Sequence, residues 1–141
     1  MWNHDDLVYM AATIDGEGSI GIEHLSPCKN RPKDYYVCRL TVVNTSLVLV
    51  EWLKAIFGGQ FDIIKKIKGR KTCYRWHIFG EDLEKVLIAI KPYLKIKANQ
   101  AQIVLDYRKT VGITGWNVSD EILKLRKNYW LKCKQLNQVG D

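Results

Sequence analysis

Two carboxylates set between glycines, in the run Asp15-Gly16-Glu17-Gly18, are the residues best placed to do chemistry in this chain. They close a segment of apolar and small side chains in which Leu7, Met10, Ala11 and Ile14 recur at helical spacing, with Asn3 or Asp5 able to cap its start. The helix is expected to stop at Gly16 and Gly18, which accept left-handed backbone angles. Glu17 then stands at a helix C-terminus, where the macrodipole repels negative charge and a neighbouring cation is most welcome. Softer metal chemistry has less support. His4, His24 and His77 form no motif with Cys or carboxylate residues, and Cys28, Cys38, Cys73 and Cys133 include no Cys-x-x-Cys pair. That scatter suits neither a zinc site nor a disulfide framework, and points to a reducing compartment.

The elements behind those carboxylates are read from periodicity. Ser19 to Leu25 is a short strand, followed by a polar loop from Ser26 to Asp34. Tyr35 to Val43 alternates: Tyr36, Cys38, Leu40 and Val42 form an apolar face, with Tyr35, Val37, Arg39 and Thr41 opposite. A helix from Ser46 to Phe57 ends at Gly58-Gly59. Gln60 to Lys68 and Thr72 to Phe79 then form a hairpin around Gly69-Arg70-Lys71. In its first strand Phe61 and Ile63 share one face, and Asp62, Ile64, Lys66 and Lys68 the other. In its second, Tyr74, Trp76 and Ile78 turn inward and Arg75 and His77 outward. Helices follow over Glu81 to Ile90, Asn99 to Lys109 and Ser119 to about Gln138. The last is expected to pack through Ile122, Leu125, Tyr129 and Leu136 and to leave a basic face, Arg126 included, in solvent.

With 141 residues and no linker, repeat or low-complexity segment, the chain is expected to form one domain over 1–141. It carries 22 basic against 15 acidic residues, net +7, which favours a polyanionic partner. No stretch approaches the roughly 20 apolar residues that cross a bilayer, and no signal-peptide core is present, so no membrane partner and an intracellular setting are expected. A prokaryotic cytoplasm, chloroplast or mitochondrion would fit equally.

Met10 to Gly18 resembles the LAGLIDADG motif: Ala11, Ile14, Asp15 and Gly18 are identical, and Gly16-Glu17 stands for its Ala-Asp pair. Two further blocks follow in family order. Val42-Val43-Asn44-Thr45-Ser46, leading to Val50-Glu51-Trp52-Leu53 and Phe57-Gly58-Gly59, is similar to the second strand and second helix. Lys91-Pro92-Tyr93-Leu94-Lys95-Ile96-Lys97-Ala98-Asn99-Gln100-Ala101 is similar to the late Pro-aromatic-Leu…Lys segment. Together they cover residues 7 to 107 and resemble the LAGLIDADG homing endonucleases of the intron-encoded kind with one motif per chain.

The resemblance implies an α+β fold of order α-β-β-α-β-β-α-α, with one antiparallel sheet forming a DNA-binding saddle. A single motif implies a homodimer, with Ala11, Ala12 and Thr13 small enough for two copies of the first helix to meet backbone to backbone. The implied activity is site-specific double-strand cleavage of DNA by Mg2+-dependent phosphodiester hydrolysis, with Mn2+ able to substitute, at a long pseudo-palindromic target. The resemblance assigns the metal to Glu17 and the Gly16 carbonyl, charge stabilisation at the phosphate to Lys97, and ordering of the nucleophilic water to Asn44, with Thr45 and Ser46 as alternatives.

An antiparallel ribbon fits the major groove, and a strand of this length, at about 3.3 Å per residue, spans roughly 30 Å or about nine base pairs. Strand parity then nominates Ser19, Gly21, Glu23, Tyr35, Arg39, Thr41, Lys66, Lys68, Arg75 and His77 for the groove, with Arg70 at the hairpin tip. Arg39 and Arg75 suit guanine, and Lys66 and Lys68 suit phosphates. Glu23 and Asp62 are unfavourable near phosphate, so they accept from cytosine or point away. Two alternatives use the same surface: an intron RNA maturase, whose partner is its own intron RNA, and a transcription regulator that has lost cleavage.

Overall fold

The computed structural model describes residues 2–64, 68–111 and 118–139. Its first helix, α1 (His4–Glu17), begins where the Asn3 side chain accepts a hydrogen bond from the Asp6 amide at 2.8 Å. Met10, Ala11 and Ile14 are fully buried along one stripe of it. The helix ends differently from the expectation. Gly16 stays helical, and Gly18 is extended at φ −90°, so neither glycine supplies a left-handed turn. Gly18 is needed for space instead: a Cβ there would lie 2.7 Å from the Ile14 Cα.

Four strands form one antiparallel sheet: β1 (Gly18–Leu25), β2 (Tyr35–Asn44), β3 (Gln60–Ile64) and β4 (Cys73–Ile78), in spatial order β1-β2-β4-β3. The alternation of β2 is realised as expected. Tyr36, Cys38, Leu40 and Val42 are buried on the inner face beside Ile20, Ile22, Trp76 and Ile78. Burial pushes the Cys38 thiol up to about 12, so it fills the core as an apolar group rather than acting as a nucleophile. At the β3 edge the inner face runs out of cover. Ile63 points the same way as Phe61 but is 62% exposed. The described part of β3 ends at Ile64, residues 65–67 lie outside the described residues, and Lys68, expected to end the strand, lies in a turn.

All helices lie on the inner side. α2 (Leu47–Phe57) is capped by the Ser46 hydroxyl, which accepts from the Leu49 amide at 3.2 Å. Its exit needs Gly59, at φ +79°, because a Cβ would lie 2.6 Å from the His77 carbonyl. There the Trp76 indole donates to the Gly58 carbonyl at 2.8 Å. α3 (Gly80–Ile90), a 3-10 turn at Lys91–Tyr93, α4 (Ala98–Arg108) and α5 (Asp120–Val139) complete the order; the three C-terminal helices lie where periodicity places them, one more than the short form α-β-β-α-β-β-α-α counts.

α5 corrects a reading of charge. Leu125 is exposed, and Arg126 takes the inward position. Its guanidinium donates to the Thr110 hydroxyl at 3.0 Å and to the Thr110 carbonyl at 2.9 Å, and lies over the Tyr107 ring. An arginine stem packs like an apolar side chain while its fork finds acceptors, so hydropathy alone misplaces it. Farther along, Cys133 is buried and Asn137 donates to the Ile20 carbonyl of β1 at 3.1 Å.

Candidate functional site

The C-terminus of α1 meets the segment leading into α4 through two reciprocal charged contacts. The Asp15 carboxylate accepts from three successive amides, Lys95 at 2.6 Å, Ile96 at 3.2 Å and Lys97 at 3.0 Å. Amides opening a helix have no partner within it, so an outside carboxylate is a natural acceptor. In return the Lys97 ammonium donates to the carbonyls of Ile14 at 2.9 Å, Asp15 at 3.3 Å and Gly18 at 2.6 Å. α1 has no basic residue in its own last turn, so Lys97 provides the cation that a helix C-terminus favours.

Glu17, one residue from these carbonyls, is exposed and uses its carboxylate differently. It accepts from the Asn44 side-chain amide, whose own oxygen accepts from the Ser46 amide at 2.7 Å. Asn44 ends β2 and Ser46 caps α2, so a strand end and a helix start together orient the amide toward Glu17. Of the three residues considered for that position, Asn44 is the one on Glu17, and the Ser46 hydroxyl is committed to its helix cap. Gly16 is exposed, and a Cβ there would meet nothing within 4 Å. Among the described residues, no group of three or more His, Cys, Asp or Glu side chains is gathered to hold a metal.

The outer face of the sheet runs on from this junction. Register aligns Ser19 with Thr41 and Thr41 with His77, then His77 with Gln60, in one row across all four strands. Gly21 stands opposite Arg39, Glu23 opposite Val37, Leu25 opposite Tyr35, and Arg75 lies between Val43 and Asp62. The nominated residues Ser19, Gly21, Glu23, Tyr35, Arg39, Thr41, Arg75 and His77 thus share one face. Lys68 and Arg70 are exposed in the turn before β4, and Lys66 lies outside the described residues. The two acidic residues on this face do not point away. Glu23 pairs with Arg39 at 3.0 Å and Asp62 with Arg75 at 2.9 Å, all four side chains about half exposed.

The outward side of α1 corrects one expectation. Ala11 is fully buried against its own core, so its side chain cannot meet a second helix. Ala12 faces solvent with Val8 and Tyr9, and the Thr13 hydroxyl is turned back to the Tyr9 carbonyl at 2.8 Å. What sequence reasoning misses is the structural role of Asp15. Its place in the motif is visible, but its partners lie 80 residues and more along the chain.

No protein-family model and no curated protein sequence matches the chain. Solved structures do. The homing endonuclease I-CvuI, in complex with the I-CreI target, superposes with a TM-score of 0.79 at 23% identity, over 93% of this chain and 81% of that one. The archaeal intron-encoded homing endonuclease I-Vdi141I, complexed with DNA, gives 0.74 at 14% identity, over 94% and 84%. The LAGLIDADG homing endonuclease I-LtrWI, bound to target DNA, gives 0.69 at 14% identity. The chain has the LAGLIDADG homing endonuclease fold. It covers 42% of the I-LtrWI chain, against most of I-CvuI and I-Vdi141I. On this fold the motif helix is α1, and the outer sheet face is the one that carries Arg39 and Arg75. No described helix is long and apolar enough to cross a membrane.

Proposed function

We propose that residues 1–141 act as one domain of a homodimeric, intron-encoded endonuclease that makes a site-specific double-strand break in DNA. The observation that carries this reading is the placement of Glu17. Its exposed carboxylate, aimed by Asn44, stands at the edge of a strand-built face bearing Arg39 and Arg75. An antiparallel face with exposed Lys68 and Arg70 in the turn beside it suits a major groove, where base edges are distinguishable.

The donors at this point fit Mg2+, with Mn2+ able to replace it. Glu17 and the Gly16 carbonyl are hard oxygen ligands, and Mg2+ is usually held by one or two carboxylates together with waters and substrate phosphate. When bound, the ion would offset charge at the scissile phosphate and make a water more nucleophilic. The chain's own contribution is to orient. Asn44 fixes Glu17, Asp15 fixes the segment behind it, and Arg39, Arg75, Lys68 and Arg70 hold the duplex.

One chain supplies one such carboxylate, and two strands must be cut. A second copy completes the site, packing through Ala12, Thr13 and the exposed Val8 and Tyr9 of α1. Single exposed apolar residues are ordinary, but Val48 of α2 (77% exposed) extends this patch from the neighbouring helix. The protein should therefore sediment as a dimer.

The test is cleavage of a randomised site library with Mg2+, wild type beside Glu17→Gln. The wild type should cut one sequence class. The variant should lose cleavage by roughly 1,000-fold, the scale of removing one preorganised charge-stabilising group, while binding the same DNA. Equal cutting by both proteins would remove Glu17 from the metal. Binding without cutting in both would sink the endonuclease reading.

A further inference from the structure

We infer that Glu23 and Asp62 determine specificity, each keeping its arginine on base edges by making it a poor partner for phosphate. The inference rests on the DNA-binding part of the reading above and goes beyond it in giving the two acidic residues a task.

The first observation is where positive charge is missing. The chain carries net +7, yet in the described strands the outward charges are Arg39 and Arg75 against Glu23 and Asp62, which cancel. Exposed cations stand at the strand ends instead, Lys68, Arg70 and Lys71 just before β4, and Lys29 and Lys33 in the loop between β1 and β2. A face meant to grip any duplex would carry its cations on the strands themselves, because phosphate contacts supply most sequence-independent affinity.

The second observation is how each arginine is held. Gly21, directly opposite Arg39, offers no side chain, and the guanidinium reaches diagonally to Glu23, with Nε 3.0 Å from its carboxylate. Arg75 donates through Nη2 to Asp62, directly across from it at 2.9 Å, and has apolar Val43 on its other side. A guanidinium has five N–H donors in a fixed fork, so one contact of this kind leaves the rest of the fork for a further acceptor.

The carboxylate then selects the acceptor. Guanine O6 and N7 are neutral, and an arginine already beside an acid can still donate to both. A phosphate is an anion. Brought to the same fork it stands close to the carboxylate, and like charges at that separation repel even near a protein surface. The acid therefore tolerates base reading and opposes transfer of the arginine to the backbone, which is discrimination by a built-in repulsion.

Binding, rather than cleavage, carries the test. Glu23→Gln and Asp62→Asn keep the shape of each acid and remove its charge. Each is titrated by fluorescence anisotropy over a series of salt concentrations, against the site that the wild type selects by binding and against random duplex of equal length. Each variant should bind random duplex about fivefold more tightly, the upper end of what an exposed ion pair withholds. The slope of log affinity against log salt should steepen by about 0.9, one added phosphate contact. Affinity for the selected site should stay close to the wild type's, so the specificity ratio falls. Arg39 and Val43, the β2 partner of Arg75, are four residues apart, about 13 Å, so the double variant should multiply the two effects to roughly 25-fold. Asp82→Asn removes the same charge from the exposed first turn of α3, on the inner side of the sheet, and should change neither affinity.

Three results would overturn the inference. Selected-site affinity lost at one base position, with random duplex unaffected, makes the carboxylate itself a reader of cytosine. No change on either DNA makes the pair a solvated one, and an equal gain in Asp82→Asn reduces the effect to net charge. Should Glu23→Gln fail to fold by thermal melting, Asp62→Asn makes the same comparison on the second pair. A wild type that binds its site and cuts nothing overturns the endonuclease reading and leaves this inference standing, whereas one that binds no DNA at low salt overturns both.

Discussion

At the α1–α4 junction, Asp15 and Lys97 commit their polar atoms to main-chain groups, three amides on one side and three carbonyls on the other. On the outer sheet face, Arg39 and Arg75 meet Glu23 and Asp62, side chain to side chain and half in solvent. The two regions are adjacent, yet they are built on different terms. A contact with backbone fixes the path of the chain, so the residue making it is hard to exchange. A contact between two exposed side chains fixes little, since such pairs contribute only about 0–1 kcal/mol and are screened by salt. The first arrangement suits a place where atoms must be held for chemistry. The second suits a surface whose sequence preference can change without cost to the fold.

The difference between the regions should be sharpest at Gly18. Gly18→Ala puts a Cβ 2.7 Å from the Ile14 Cα, a backbone atom that cannot swing aside. It should lower stability by about 3 kcal/mol in urea unfolding, at the upper end for overpacking. Next is Asp15→Ala, which leaves three amides without their carboxylate. Because the site is partly solvated, about 2 kcal/mol is expected, a fall of about 6 °C in the melting midpoint.

Across the boundary, Arg39→Ala and Arg75→Ala should leave stability within about 0.5 kcal/mol, the ordinary range for surface positions. Each should relax selection at one position of the DNA site by about 1–2 kcal/mol, read by sequencing the sites that remain bound. A loss of fold stability comparable to that of Asp15→Ala would erase the distinction between the two regions. The smallest effect belongs to Lys68→Ala. It should weaken binding evenly across sequences and reduce the slope of log affinity against log salt by about 0.9, one phosphate contact's share.

Local rules make much of the fold legible in the sequence. Alternation in β2 identifies the correct inward set, Asn3 is one of the two caps that the sequence offers α1, and Gly58-Gly59 marks the end of α2. The outer-face residues follow from parity alone. What escapes depends on distant partners. Nothing near Asp15 reveals that it caps a segment 80 residues away, and nothing near Lys97 says that carbonyls of α1 accept from it. Arg126 reads as solvated because charge usually is, whereas its acceptors at Thr110 lie outside its own helix. Parity turns Ile63 in the correct direction but cannot report its cover, because it does not say where a sheet edge runs beyond its helices.

The hold of α5 on β1 bears on the order in which the molecule is made. Ile20 leaves the ribosome before the Cys133 and Asn137 side chains that meet its carbonyl, which are 113 and 117 residues later in the chain. Until α5 is synthesised, the inner face of the first strand has part of its cover missing, and closing so long a loop is slow. A nascent chain stalled before Cys133 therefore exposes Ile20 and Ile22. Such a chain would be a natural client for chaperones, and completion of the last helix would decide when it is released from them.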